Sequence, residues 1–164
     1  PGPVHDRAFL AESPIMTDRS IRFFDSSAAV RHLGERLIAS CLPRAEWTHE
    51  AHVAACYWLV AERPDICLAS DLPGIIRRHN DSVGTPNTDS SGFHATITHC
   101  YAMGVAAFHR QCDATLPLVE RVNALLAAPE GARDWPLRFF SRERLFSVGA
   151  RRAVILPDLA ALPG

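Results

Sequence analysis

RAEWTHEAHVAACYWLVAE, residues 44–62, decides the reading of this chain. Pro43, tolerated in a first turn, opens it as a helix, and Pro64 stops it. At about 100° per residue, His49, His52, Cys56, Leu59 and Val60 fall within about one third of the helix circumference. Two imidazoles thus share a stripe with residues that must be buried. Burying an imidazole without a partner costs about 1–3 kcal/mol, so the pair is hydrogen-bonded, metal-bound or used in chemistry. The plain alternative is a pair of satisfied core histidines.

Working outward, the same helical spacing recurs. Asp25-Ser26-Ser27 offers N-caps to a helix over Ala28–Leu42, where Val30, Leu33, Leu37, Ile38 and Cys41 repeat. Ile66–Asn80 reads as a helix broken near Pro73-Gly74. Asp81–Gly92 (DSVGTPNTDSSG) consists almost wholly of turn formers and is expected to be a loop at a pocket rim. Phe93–Cys112 is the central helix, capped from Asp89, Ser90 or Ser91. Thr115 caps Leu116–Ala128, with Pro117 in its first turn. Short helical pieces follow around Leu137–Phe140 and Arg142–Arg152. The expected fold is all-α: an irregular single-domain bundle of about five or six helices over residues 25–164, with an extended N-terminal arm (1–24) and an extended C-terminal tail.

Composition narrows the function. A chain of 164 residues fits one domain. A net charge of -1 gives no electrostatic footprint for nucleic acid or an anionic membrane. The longest apolar run, Val53–Val60, is far too short to span a bilayer. Five cysteines form no CxxC pair and sit mostly in apolar stretches, which implies a reducing, cytoplasmic setting. All 17 basic residues are arginine, so lysine Schiff bases and lysine general bases are excluded.

On the central helix His94, Thr98, Tyr101, Val105, Phe108 and Cys112 line one face. If that face meets the first stripe, His49, His52 and His94 converge on one pocket, with Asn80 and Asn87 adding hydrogen-bonding groups at its rim. His99 points away, and His109 suits a helix C-terminus. Three neutral imidazoles with an open position form the ligand set of a catalytic zinc site, so His49, His52 and His94 are also candidate ligands for Zn or Fe. Without metal, a histidine near its ordinary pKa of about 6.5 is the natural general acid or base, with Thr98 or Tyr101 orienting the substrate. Arg138, Arg142 and Arg144, set among phenylalanines, are candidates for holding an anionic group. Cys56 beside the stripe raises a Cys-His nucleophilic pair.

Three motifs, Trp47-Thr48-His49 with His52, Gly92-Phe93-His94 with Thr96 and Thr98, and Phe140-Ser141-Arg142-Glu143-Arg144-Leu145 followed by Pro157-Asp158-Leu159, resemble in that order a family of small bacterial proteins without an assigned activity. Members of that family often carry an acidic residue directly after the histidine at the position of His94, where this chain has Ala95. Lysine-free composition rich in alanine and arginine resembles high-GC actinobacterial proteins of secondary metabolism. A second similarity is to the paired small subunits that close aziridine rings by eliminating sulfate. That resemblance implies a histidine or carboxylate accepting an amine proton and arginines holding the departing sulfate.

The favoured expectation is a metal-independent enzyme that uses the histidine cluster for acid/base chemistry on a small polar or anionic metabolite, such as an elimination or ring closure. Its alternatives are a three-histidine metal protein or metal-dependent hydrolase, and a non-catalytic subunit of a hetero-oligomeric biosynthetic enzyme. A homo- or hetero-oligomer is expected in either case.

Overall fold

The computed structural model describes residues 20–164, and the expected arm lies outside the described residues except for its last five positions. The fold is all-α. Its elements run α1 (Ser27–Ile38), α2 (His49–Glu62), α3 (Leu68–Ser82), α4 (Ala95–Gln111), α5 (Leu118–Ala127), α6 (Arg142–Leu145) and α7 (Val148–Arg152), with single 3₁₀ turns at Arg44–Glu46, Pro129–Gly131 and Trp135–Arg138. Among the described residues there is no strand.

α2 is the axis of the bundle. Ala51 and Val53–Leu59 are all buried, so this helix is apolar nearly all round and is covered by α1, α4 and α5. The stripe expected from spacing is therefore not a distinct face: His52 is the exposed position between Ala51 and Val53, and His49 is half-buried. The helix also begins later than expected. Residues 44–46 form a separate 3₁₀ turn, and α2 starts after Thr48, whose hydroxyl accepts the Ala51 N–H at 3.2 Å.

Local chemistry explains the other shifted boundaries. α1 stops at Ile38 because Ser40 takes a left-handed conformation (φ 56). Ser40 and Cys41 N–H groups then close back on the Leu37 and Arg36 carbonyls, a Schellman ending with serine in the place glycine usually takes. α3 is not broken at Pro73-Gly74 and carries Pro73 inside it. The carbonyl that loses its N–H partner belongs to Ala69, an exposed residue in the first turn, so solvent bears the loss. Thr115 does not cap α5, since its N–H and hydroxyl both turn to Asp113, and the helix begins at Leu118.

A second, smaller cluster of Cys100, Trp135, Phe139, Phe140 and Leu145 fastens the C-terminal pieces to α4. The extended tail closes over it: Asp158 and Leu159 donate to the Phe139 carbonyl, and the Thr96 hydroxyl donates to the Ala153 carbonyl. At the other end of the chain Asn123 clamps Phe24 in both directions, accepting its N–H and donating to its carbonyl, each at 2.9 Å. Asn123→Ala removes both bonds and is expected to cost about 1–2 kcal/mol in urea denaturation, with faster hydrogen exchange at Phe24. Unchanged exchange at Phe24 would show that the segment is held by packing instead.

Candidate functional site

Between α2, α3 and α4 lies a cavity of about 300 Å³. Its body is apolar, formed by Leu37, Val53, Cys56, Leu72, Ile76 and Ile97, and its polar groups are His49, His52, Trp47, Thr98 and Tyr101. A second, more polar lobe of about 450 Å³ adjoins it and is lined by Arg44, Asn80, Thr85, His94 and Arg151 among others. Trp47, His52, Ile76, Ile97 and Thr98 line both lobes and form the partition between them.

The partition turns on His52. Its Nδ1 lies 2.6 Å from the Thr48 carbonyl, which can only accept, so Nδ1 carries the proton. Nε2 is then the nitrogen with the free lone pair, and it has no protein partner among the described residues. The Trp47 indole stacks on the ring with centroids 3.6 Å apart. Desolvation by the surrounding protein lowers the His52 pKa from the usual imidazole value, with His49 and His79 adding repulsion.

The other two predicted histidines are tied down. His49 Nε2 donates to the Gly131 carbonyl at 2.8 Å, and the neighbouring Tyr101 hydroxyl donates to the Ala132 carbonyl at 2.8 Å. Together they anchor the 129–131 turn against α2 and α4. Glycine is required at 131, since a Cβ would meet the Leu125 carbonyl oxygen at 2.3 Å. Burial lowers the His49 pKa against the opposing pull of the Gly131 bond. His94 is the N-cap of α4, in place of Asp89, Ser90 or Ser91: Nδ1 accepts the Ile97 N–H at 3.3 Å while Nε2 donates to the Leu145 carbonyl at 3.0 Å. Both nitrogens are occupied, which leaves the ring no free lone pair or N–H facing the lobe.

The three imidazoles therefore do not assemble as a ligand set. Among the described residues no group of three or more His, Cys, Asp or Glu side chains is placed to hold a metal ion. Cys56 is buried in the cavity wall, and desolvation pushes its thiol up to about 12, the opposite of the lowered value an activated Cys-His pair needs.

No protein family, curated protein or solved structure matches this chain.

The expected arginine cluster disperses. Arg138 lies over Trp135, Arg142 over Phe146, and Arg144 donates to the Leu156 carbonyl at 2.8 Å; none lines either lobe. Asn87 is a loop clamp whose Oδ1 accepts from Asn80 and from the Phe93 N–H, at 2.9 and 3.0 Å. Asn80 is buried and lines the polar lobe. Thr98 lines both lobes.

Sequence reasoning missed Trp47, Arg44 and Arg151 at the lobes, and Glu50 beside His49. Glu50 is buried in the first turn of α2 and paired with Arg133 at 3.0 Å. Desolvation pushes its carboxyl upward, but its own backbone N–H, Arg133 and Thr48 outweigh this and hold it below the ordinary value. Its place in the opening turn of a helix was the available signal.

No helix among the described residues is long and apolar enough to cross a membrane.

Proposed function

We propose that this protein is a small-molecule enzyme in which His52 Nε2 accepts a proton from a metabolite bound across the two lobes. The observation that carries this reading is the 2.6 Å bond from His52 Nδ1–H to the Thr48 carbonyl, which fixes the tautomer and leaves a lone pair on the wall shared by both lobes. A bound ligand displaces water from the apolar lobe, and a proton transfer there proceeds in a lower dielectric. Thr98 orients the substrate. His49, Tyr101 and His94 hold the 129–131 turn and the start of α4 in register. Removal of a proton is the step that begins an elimination or a ring closure.

Solvent exchange tests this whatever the substrate. Bacterial metabolite extracts in D2O, incubated with the protein and profiled by mass spectrometry, are expected to show one metabolite consumed or deuterated. That change is absent with His52→Gln. Identical profiles for the two proteins would refute the proposal.

Once such a metabolite is in hand, the pH profile follows from the sign of the shift. The base acts unprotonated and its pKa lies below the ordinary 6.5, so the rate rises with pH along an acid limb centred below that value and stays level above it. An acid limb centred at or above 6.5 would assign the proton transfer to a different group.

A further inference from the structure

The polar lobe carries a chemical assignment that acid/base chemistry alone does not demand. Arg151 stands on α7 and is half-buried. Its Nη1 donates to the carbonyls of Gly92 and Phe93, each at 3.2 Å. Two neutral carbonyls fix the plane of the guanidinium without neutralising it. The next residue, Arg152, takes the nearby Asp89 carboxylate through two bonds of 2.7 and 2.6 Å. No carboxylate among the described residues forms an ion pair with Arg151 or with Arg44, the second arginine of the lobe; Asp89, bound to Arg152, is near enough to feel the Arg151 charge but does not bond to it.

The loop that holds Arg151 is itself pinned by close contacts and hydrogen bonds. Gly92 takes a positive φ of 73, and a Cβ there would strike the Pro86 carbonyl oxygen at 2.6 Å. Asn87 Oδ1 gathers Asn80 and the Phe93 N–H behind it. A half-buried cation held in one orientation, unpaired, on the wall of a cavity is a site prepared for an anion. The positive end of the α4 dipole opens on the same lobe through Phe93 and His94 and adds to its sign.

We propose that the polar lobe binds a carboxylate of the substrate, with Arg151 as the principal contact and Arg44 closing over it. With Nη1 committed to the loop, the Nε and Nη2 edge of the fork remains, and a two-donor edge matches the two oxygens of a carboxylate. A tetrahedral dianion would call for a fuller set of donors than one edge and Arg44 provide. Anchored there, the remainder of the molecule reaches past His52 into the apolar lobe. The substrate class is thus a small organic acid with an apolar body. This inference rests on the acid/base reading only for the ligand's role as substrate; the binding itself stands apart from it.

Phenylacetate, phenylacetamide and phenyl phosphate, titrated at pH 7.5 and followed by amide NMR, test the assignment. Phenylacetate is expected to bind about tenfold or more tightly than the neutral amide and to shift signals at Thr98 and Gly92. Arg151→Gln is expected to weaken phenylacetate by about ten- to a hundredfold while leaving the amide's affinity in place. The retained amide binding shows that the apolar lobe is still folded. Arg44→Gln, at an exposed side chain with no partner in the loop, should give a smaller loss of acid affinity. Equal affinity for acid and amide, no binding of either, indifference to Arg151→Gln, or a preference for phenyl phosphate would each overturn the carboxylate assignment. The deuterium test with His52→Gln has a separate readout: its failure with phenylacetate still bound through Arg151 would remove the acid/base reading and leave the anion site standing.

Discussion

Gly34→Ala is expected to destabilise the protein by about 3 kcal/mol or more, the reverse of what the substitution does in an ordinary helix. Inside an exposed helix alanine is better than glycine by about 1 kcal/mol, because it restricts the unfolded chain. Here a Cβ at 34 would lie 2.1 Å from Cε3 of Trp58 and 2.5 Å from its Cζ3. The indole cannot swing away, since it is buried, its Nε1 donates to Glu62 at 3.2 Å, and the Arg63 guanidinium lies over it. The cost therefore falls on the spacing between α1 and α2. Because α2 carries His52 and its N-cap, a shift of that helix reaches the site as well. Urea denaturation measures the loss, and combining Gly34→Ala with Trp58→Leu, which vacates the space, should recover part of it. A single variant as stable as the parent, with no coupling to Trp58, would show that the two helices adjust freely.

That contact also marks what is legible in the sequence. Helical class and the order of helices follow from the spacing of apolar residues and from caps such as Ser26, whose hydroxyl accepts the Ala29 N–H at 3.1 Å. Gly34 reads locally as a weak point in α1, because nothing near it in the chain reveals that Trp58 lies against it. His52 is recognisable as a candidate through its company on α2, and the bond that fixes its tautomer is local, from one turn back. His94 is not readable in the same way. Its ring is spent on capping and on the Leu145 carbonyl, 51 residues away. Arg151 escapes for the same reason in reverse. Its neighbours suggest a charged helix end, and only the return of the 83–94 loop puts the Gly92 and Phe93 carbonyls within reach. Periodicity places a residue on a face, while the tertiary partner decides whether its side chain is free to act.

Stability is expected to fall steeply as the pH drops below about 6.5, and His79→Leu should blunt that fall while stabilising the neutral protein. His79 on α3 is fully buried, neither ring nitrogen has a protein partner among the described residues, and its edge meets Trp47 at 5.0 Å. Burial lowers its pKa, as it does for His49, His52, His94 and His109. In the unfolded chain each of these rings titrates near 6.5. Above that value both states are neutral and the stability is intact. As the pH falls through 6.5 the unfolded state takes up protons that the folded state refuses, and the loss continues until each depressed folded pKa is passed. Every pKa unit of that gap costs about 1.4 kcal/mol for a buried ring, and these rings act together against a total stability of about 5–15 kcal/mol. Leucine fills nearly the same volume, brings no unpaired nitrogen and does not titrate, so His79→Leu should gain about 1–3 kcal/mol at pH 7.5 and flatten the acid slope by up to one proton. Urea curves at pH 7.5, 6.5 and 5.5 measure both effects. A variant less stable at pH 7.5, with the acid slope unchanged, would show that the ring is satisfied in the folded protein and that its burial costs nothing. A variant more stable yet inactive on the deuterated metabolite would instead tie His79 to the site, through the indole of Trp47 that stacks on His52.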